Sequence, residues 1–187
     1  VVYNSPFKAT LNQHNRDFLK LLNKIEILNF TGGETLMQPQ VHELIDYLIE
    51  HNLAEKITIF LLTNVSEYPT KLLPKFKKFK KVIFLCSIDG TGDVLEYQRR
   101  GAKWENVKSV STQILQTDFI ETVLNYTLTA INALNIPEFV DWVVNNKING
   151  VGITPVFRED YMSVDALPPD LLLPLVDQLK HKLLSYK

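Results

Sequence analysis

Hydrophobic positions along the chain alternate between two patterns. Continuous apolar runs, rich in β-branched and aromatic residues, predict buried strands at residues 25–30, 56–63, 82–88, 121–131 and 151–156. Apolar residues at helical spacing, some after an initial proline, predict helices at residues 15–22, 41–52, 69–79, 104–116, 137–146 and 168–185. Residues 1–10 and 157–167 show no clear period and are expected to be irregular.

The order of these elements predicts an α/β fold with a parallel sheet. Strands separated by helices need crossover connections, and such connections join parallel strands. Right-handed crossovers leave two architectures, a doubly wound sheet and a barrel-like wrap, and the spacing does not choose between them. The 187 residues suffice for one domain with a sizeable core, and no linker suggests a second one.

Composition and charge narrow the range of partners. Lys and Arg total 20, Asp and Glu total 21, and the net charge is -1, so nothing favours nucleic acid as a partner. No apolar run reaches the length of a membrane helix, so we expect no membrane association. The single cysteine, Cys86, excludes an internal disulfide framework and fits a reducing, cytoplasmic location.

A glycine turn after the first predicted strand is the first candidate for ligand binding. Gly32 and Gly33 follow the run 25–30 and are followed by the carboxylate of Glu34. Adjacent glycines permit positive φ and let a ligand approach the bare backbone. In α/β proteins the carboxyl ends of the strands form the ligand-binding face.

Polar residues also follow the other predicted strands. They are Thr63 and Asn64, Ser87 and Asp89, residues 129–132, and residues 154–156, with Arg99 on the segment after Asp89. In a parallel sheet or partial barrel all of them face the same rim. Each alone also fits a plain turn or a solvated side chain. Together they offer acceptors for an ammonium or hydroxyls and a guanidinium for a carboxylate, which suits a zwitterion joined to a sugar.

Two stretches carry a family resemblance. Gly32-Gly-Glu-Thr35 resembles the Gly-Gly-Glu-Pro motif of radical S-adenosylmethionine (SAM) enzymes, with Thr35 in place of proline. Residues 87–104 resemble the Ser-Ile-Asp-Gly … Glu-Tyr-x-Arg-x-x-x-Lys-Trp signature of twitch-type radical SAM proteins, relatives of the SPASM-domain peptide and protein modifiers. The similarity runs from about residue 19 to 175.

The resemblance implies a partial (β/α)6 barrel and a set of SAM-binding residues. It implies that Gly32, Gly33 and Glu34 hold the SAM amino group, that Ser87 lies near the ribose, and that Arg99 binds the carboxylate. It further implies that Asp89, Thr63 and Asn64 shape the same pocket, and that Asn132 and Val156 lie near the ribose and adenine.

The sequence departs from the family at the iron–sulfur cluster. The family binds a [4Fe–4S] cluster through Cys-x3-Cys-x2-Cys on a loop after the first strand, and this sequence has no such motif. Cys86 lies in an apolar strand run and is expected to be a buried core residue, and the four histidines lack metal-ligand spacing. We expect no metal ligands within these residues. The first strand and its cluster loop are expected to lie before Val1, unless the protein has lost this chemistry.

The leading hypothesis is therefore a radical SAM enzyme that cleaves SAM reductively to a 5′-deoxyadenosyl radical, which abstracts hydrogen from a substrate. The resemblance implies a peptide or protein substrate and a reductant such as flavodoxin or ferredoxin. The alternative is a degenerate, cluster-free barrel that acts as a peptide or protein binding module. An unrelated doubly wound nucleotide-binding domain ranks last, because no Gly-x-Gly-x-x-Gly or Walker loop is present.

Overall fold

The strands of the computed structural model form one sheet in sequence order. The structure describes residues 21–148, 150–158 and 160–186. The five parallel strands are β1 (Ile27–Phe30), β2 (Thr58–Thr63), β3 (Lys81–Ser87), β4 (Ile120–Leu128) and β5 (Val151–Pro155), in the order β1-β2-β3-β4-β5. The sheet is not closed. The predicted α/β class with a parallel sheet is confirmed.

Six α-helices follow the strands in the described part of the chain. They are α1 (Pro39–Glu50), α2 (Leu73–Phe76), α3 (Gly92–Gln98), α4 (Trp104–Leu115), α5 (Ile136–Asn145) and α6 (Pro169–Ser185). Short 3-10 helices occupy Thr35–Met37, Ala54–Lys56, Ala133–Asn135 and Val164–Ala166. The helix predicted at residues 15–22 lies mostly outside the described residues. No described helix is both long and apolar enough to cross a membrane.

Two predicted boundaries are wrong and one helix was not predicted, each for a local reason. The helix predicted at 69–79 is reduced to α2, because Pro74 has no N–H to continue a helix begun at Pro69. Helix α3 was not predicted, since Leu95 is its only buried residue and it shows no apolar stripe. Strand β4 ends at Leu128 rather than 131, because the Asn132 side chain hydrogen-bonds the Thr127 carbonyl and the Thr129 N–H on either side of this point.

The chain divides into two compact units, which are described separately. The first contains the chain up to Cys86 and Gln113–Thr122, and the second contains Ser87–Thr112 and the chain from Val123 onward. The assignment of residues 1–187 to a single domain stays a prediction.

The first unit is built on the parallel pairs β1/β2 and β2/β3. Ile59 on β2 pairs with Leu28 on one side and Val82 on the other, so β2 is the middle strand of this part of the sheet. One face of β2 is buried and the other is half-buried. Phe76 of α2 packs edge-on against Phe84 of β3, with ring centroids 5.7 Å apart. This packing holds α2 against β3, where Phe84 pairs with Leu61 of β2.

The second unit is built on the parallel pair β4/β5, in which Leu124 pairs with Val151. Tyr126 of β4 is fully buried, packs against Phe139 of α5 at 4.5 Å, and donates its hydroxyl to the Asn132 carbonyl at 2.9 Å. Burial, and secondarily the Asp89 carboxylate, raises the pKa of Tyr126, so its hydroxyl stays protonated. A buried aromatic residue thus holds the turn after β4 in place.

Candidate functional site

The predicted site residues fall into two groups, one in each unit. The glycine-turn group comprises Gly32, Gly33, Glu34, Thr63 and Asn64, at the ends of β1 and β2. The aspartate–arginine group comprises Ser87, Asp89, Arg99, Asn132 and Val156, after β3, α3, β4 and β5. Each group is described by its own contacts.

The glycine turn uses backbone conformations that other residues seldom adopt. Gly32 has φ 92° and Gly33 has φ 53°, both in the left-handed region. The Gln38 side chain donates to the Gly32 carbonyl at 3.3 Å, and a Cβ at Gly33 would come within 3.1 Å of the same amide nitrogen. Both the conformation and the space therefore favour glycine at position 33, since another residue would be strained and would displace the Gln38 side chain.

Main-chain amides hold the Glu34 carboxylate at the end of this turn. Its Oε1 accepts from the Leu36 N–H at 3.3 Å, which caps the 3-10 helix, and its Oε2 accepts from the Asn64 N–H at 2.8 Å. No ion pair of Glu34 is found among the described residues. Each carboxylate oxygen can accept more than one hydrogen bond, so Glu34 is a fixed anion with capacity left for an ammonium group.

Thr35 occupies the position at which the family motif has proline. Its side chain is buried and its Oγ1 donates to the Leu62 carbonyl of β2 at 2.6 Å. Proline has no donor for such a bond. A hydrogen bond between the turn and the neighbouring strand here stands in place of the stiffness of a proline ring.

Thr63 and Asn64 shape the loop after β2. Thr63 is buried and its Oγ1 accepts from the Val65 N–H at 3.0 Å, which supports the positive φ of Val65. Asn64 is exposed, and its Oδ1 accepts from the Ser66 N–H at 3.0 Å in an Asx turn. Within this group, the structure brings Glu34 and Asn64 into direct contact, and the Thr63 hydroxyl is already engaged by its own loop.

Cys86, at the end of the same unit, is a core residue as predicted. It is 1% exposed. Burial, and secondarily the Glu34 carboxylate, raises the pKa of the thiol to about 12, so the thiolate needed for iron is strongly disfavoured. Among the described residues no cluster of three or more His, Cys, Asp or Glu side chains could hold a metal. The residues present therefore do not fit an iron–sulfur cluster, which needs several thiolates.

The second group is centred on a salt bridge between Asp89 and Arg99. Asp89 Oδ2 accepts from Arg99 Nη2 at 2.5 Å and from Arg99 Nε at 3.1 Å. Asp89 Oδ1 accepts from the Thr127 N–H of β4 at 2.8 Å. The side chains are 14% and 27% exposed, so the pair is partly shielded from solvent and salt.

Asn132 is the most heavily hydrogen-bonded side chain of this group. It is fully buried, and its amide donates to the carbonyls of Asp89 at 2.9 Å and Thr127 at 2.8 Å. Its Oδ1 accepts from the Thr129 N–H at 2.8 Å and the Thr129 hydroxyl at 3.2 Å. These bonds use the polar atoms of Asn132 to tie the end of β4 to the segment after β3. This arrangement supports a scaffold role for its side chain.

Gln98 is a member of this network that the sequence did not single out. Its Nε2 donates to the Asp89 carbonyl at 2.9 Å, and its Oε1 accepts from the Asn132 amide at 3.4 Å and the Thr129 hydroxyl at 3.5 Å. Gln98 stands at the variable position immediately before Arg99 in the family signature. That adjacency is the only signal that could have identified it.

Ser87 and Val156 stand outside this network. Ser87 is half-buried at the end of β3, and its hydroxyl has no partner among the described residues. The Val156 N–H donates to the Leu128 carbonyl at 3.0 Å, which extends the β4/β5 pairing by one bond. Ser87 thus retains a free donor and acceptor for a ligand.

Other residues of the family signature stabilise the loop between α3 and α4. Glu96 accepts from the Lys103 ammonium at 2.6 Å and from the Trp104 N–H, the first residue of α4, at 3.0 Å. The hydrogen bond from Lys103, followed by that from Trp104, lowers the pKa of the Glu96 carboxyl. Trp104 packs edge-on against Trp142 of α5 at 5.4 Å. Glu96, Lys103 and Trp104 of the signature therefore have a structural role that needs no ligand.

Comparison with known proteins gives a family match and several matches to solved structures. The profile described as "Radical SAM superfamily" matches residues 4–143. No curated protein sequence matches the chain.

The solved structures are similar in fold at low sequence identity. The native anSMEcpe structure with bound AdoMet and Cp18Cys peptide is 18% identical, with a TM-score of 0.56, and the match covers 73% of this chain and 41% of that one. Streptococcus suis SuiB bound to S-adenosylmethionine is 15% identical, with a TM-score of 0.59, covering 86% and 37%. A domain of pyruvate-formate lyase-activating enzyme from Bacteroides vulgatus ATCC 8482 is 11% identical, with a TM-score of 0.56, covering 83% and 93%. The chain thus spans about two fifths of the length of the first two.

Proposed function

This chain belongs to the radical SAM superfamily, and from that premise we propose that it binds SAM as part of a radical SAM enzyme. The observation that carries the proposal is the Glu34 carboxylate, which two main-chain N–H groups hold at a turn of two left-handed glycines. In this superfamily, reductive cleavage of bound SAM supplies the 5′-deoxyadenosyl radical that abstracts hydrogen from the substrate.

The contacts of each group support a division of roles on SAM. Glu34, beside Gly32 and Gly33, is a fixed anion and would accept from the SAM ammonium, while Asn64 would hold Glu34 through its N–H. Arg99 would bind the SAM carboxylate. The Ser87 hydroxyl, which has no partner in the part of the chain that the structure describes, would bond the ribose. Thr63, Asp89 and Asn132 would act by fixing backbone and side chains around these ligands. The Val156 segment would lie near the adenine, which rests on the family resemblance.

A peptide or protein substrate is the finer part of the proposal. It is supported by the twitch-type signature at residues 87–104 and by the peptide bound in the anSMEcpe structure. We propose membership of the twitch-type, SPASM-related branch on the same grounds, together with a reductant such as flavodoxin or ferredoxin.

Calorimetric titration of the protein with SAM tests the assignment of Glu34. We expect Glu34→Gln to weaken SAM binding by roughly tenfold, because the amide loses the charge that faces the ammonium. Glu67→Gln is the matched control, since Glu67 is an exposed carboxylate of the same unit with no described partner. Equal SAM affinity for both variants would remove Glu34 from the site.

A cluster-free binding module is the second candidate function. The observation that favours it is that the described residues contain no group of His, Cys, Asp or Glu that could hold a metal. Anaerobic incubation with iron, sulfide and a strong reductant separates the two candidates. We expect this 187-residue polypeptide to acquire no visible absorbance of an iron–sulfur cluster. We expect a longer form of the protein that carries the Cys-x3-Cys-x2-Cys loop to acquire that absorbance and to cleave SAM. Such a form that does neither would favour the binding module.

A further inference from the structure

The hydrogen bonds of Asp89 all go to protein groups, so Asp89 serves as an anchor for neighbouring residues rather than as a ligand-binding group. Both carboxylate oxygens have protein partners, namely Arg99 on Oδ2 and the Thr127 N–H on Oδ1. Its main-chain carbonyl accepts from the amides of Gln98 and Asn132, both at 2.9 Å. Three bonds independent of Arg99 therefore fix Asp89, so the carboxylate is the stationary partner of the salt bridge.

Arg99 is held in the opposite way, by one edge of its guanidinium only. Asp89 takes the edge formed by Nε and Nη2. Nη1 has no partner among the described residues, and the side chain is 27% exposed. A guanidinium presents planar pairs of donors, so the edge formed by Nη1 and Nη2 remains free for a second carboxylate.

Building on the proposed function, we infer that Asp89 is a positioning residue that orients Arg99 so that its free edge binds the carboxylate of SAM. Asp89 does not touch SAM itself. It sets the plane of the guanidinium before the ligand arrives, which reduces the side-chain entropy lost on binding. Asp89 thereby makes the site selective for ligands that carry a carboxylate.

The direction in which SAM affinity changes on replacing Asp89 separates positioning from electrostatics, because the Asp89 charge also acts on the ligand directly. Its negative charge repels a ligand carboxylate, so a purely electrostatic role predicts that SAM binds more tightly when Asp89 is removed. A positioning role predicts weaker binding of SAM. It also predicts little change for decarboxylated SAM, which lacks the group that Arg99 would bind.

The experiment is calorimetric titration of the full-length protein with SAM and with decarboxylated SAM. For Asp89→Ala we expect SAM affinity to fall by about tenfold, the usual scale for losing a charge-assisted contact, and the affinity for decarboxylated SAM to stay within about twofold. Arg99→Ala is expected to give the same ligand-dependent pattern. Asp93→Ala is the matched control, an exposed aspartate in the first turn of α3, and should change neither affinity.

Each other outcome has a defined meaning. Equal losses for both ligands would show a general structural role and overturn the inference, as would tighter SAM binding by Asp89→Ala. If Asp89→Ala does not fold, Asp89→Asn keeps the side-chain volume but cannot accept from both Arg99 and Thr127, and the same difference between ligands is required of it. Wild-type protein that binds neither ligand would refute the proposed function itself.

Discussion

The glycine-turn group and the aspartate–arginine group hold their charged side chains in place by different means. In the first, backbone conformation presents the functional atoms, with Gly32 and Gly33 at positive φ and main-chain amides around Glu34. In the second, a buried network of side chains centred on Asn132 fixes Asp89, and Asp89 holds Arg99. The first group should thus be sensitive to added side-chain atoms, and the second to lost hydrogen-bonding groups.

The largest expected effect is in the side-chain network. Asn132→Ala removes this partner from the Thr127 carbonyl and the Thr129 N–H and leaves the Asp89 carbonyl with Gln98 as its donor, so we expect the free energy of unfolding to fall by about 3 kcal/mol. Urea denaturation measures it. Asn64→Ala, in the exposed glycine-turn group, removes one local acceptor and should cost about 0.5 kcal/mol. Similar losses for the two variants would remove the contrast between the groups.

Added volume at the glycine turn should have the next largest effect. Gly33→Ala places a Cβ at φ 53° and 3.1 Å from the Gln38 amide, and we expect a loss of about 1–2 kcal/mol in unfolding free energy. Gly152→Ala is the control, because that glycine lies in β5 without positive φ and its Cβ would make only ordinary contacts at 3.8 Å. If both substitutions cost the same, conformation is not what selects glycine at position 33.

The hydrogen bond of Thr35 gives a smaller effect. Thr35→Val keeps the shape of the side chain but removes the donor to the Leu62 carbonyl, so we expect a loss of about 1 kcal/mol in thermal or urea unfolding. Thr112→Val is the control, since its hydroxyl bonds only the Lys108 carbonyl of its own helix on the exposed side. A neutral Thr35→Val would show that the turn needs no link to β2.

The smallest effect is a pH dependence of stability in the glycine-turn unit. The pKa of Cys86 is raised to about 12 in the folded protein against 9.0 for an ordinary thiol, so the unfolded chain loses its proton first. Unfolding free energy should therefore decrease as pH rises above about 9, by roughly 1 kcal/mol at one pH unit beyond it. Urea unfolding between pH 7 and 10 measures this, and Cys86→Ala should lack that component. An unchanged slope in the variant would assign the dependence to other groups.

The pattern of apolar residues was enough to predict the fold class and the positions of most elements. Long apolar runs and helical periods fixed five strands and the helices α1, α4, α5 and α6 to within a few residues, because burial on one or both faces of an element leaves a periodic signature. The same signature is weak in short elements. Helix α3 buries one residue, so periodicity missed it. Helix α2 begins only at Leu73, because Pro74 cannot continue a helix from Pro69, so periodicity made this helix too long.

For the candidate site, sequence identified which residues carry chemistry, and tertiary structure decided what each side chain does. The glycine turn is a local device, so two adjacent glycines and a glutamate were sufficient to locate it. Asp89, Gln98 and Asn132 bond one another across 9 to 43 residues of the chain. Hydrogen bonds over such separations depend on how strands and helices pack, and no local pattern encodes them. Tertiary structure therefore decided that Asp89 anchors Arg99, that Thr63 supports its own loop, and that Asn132 ties the network together.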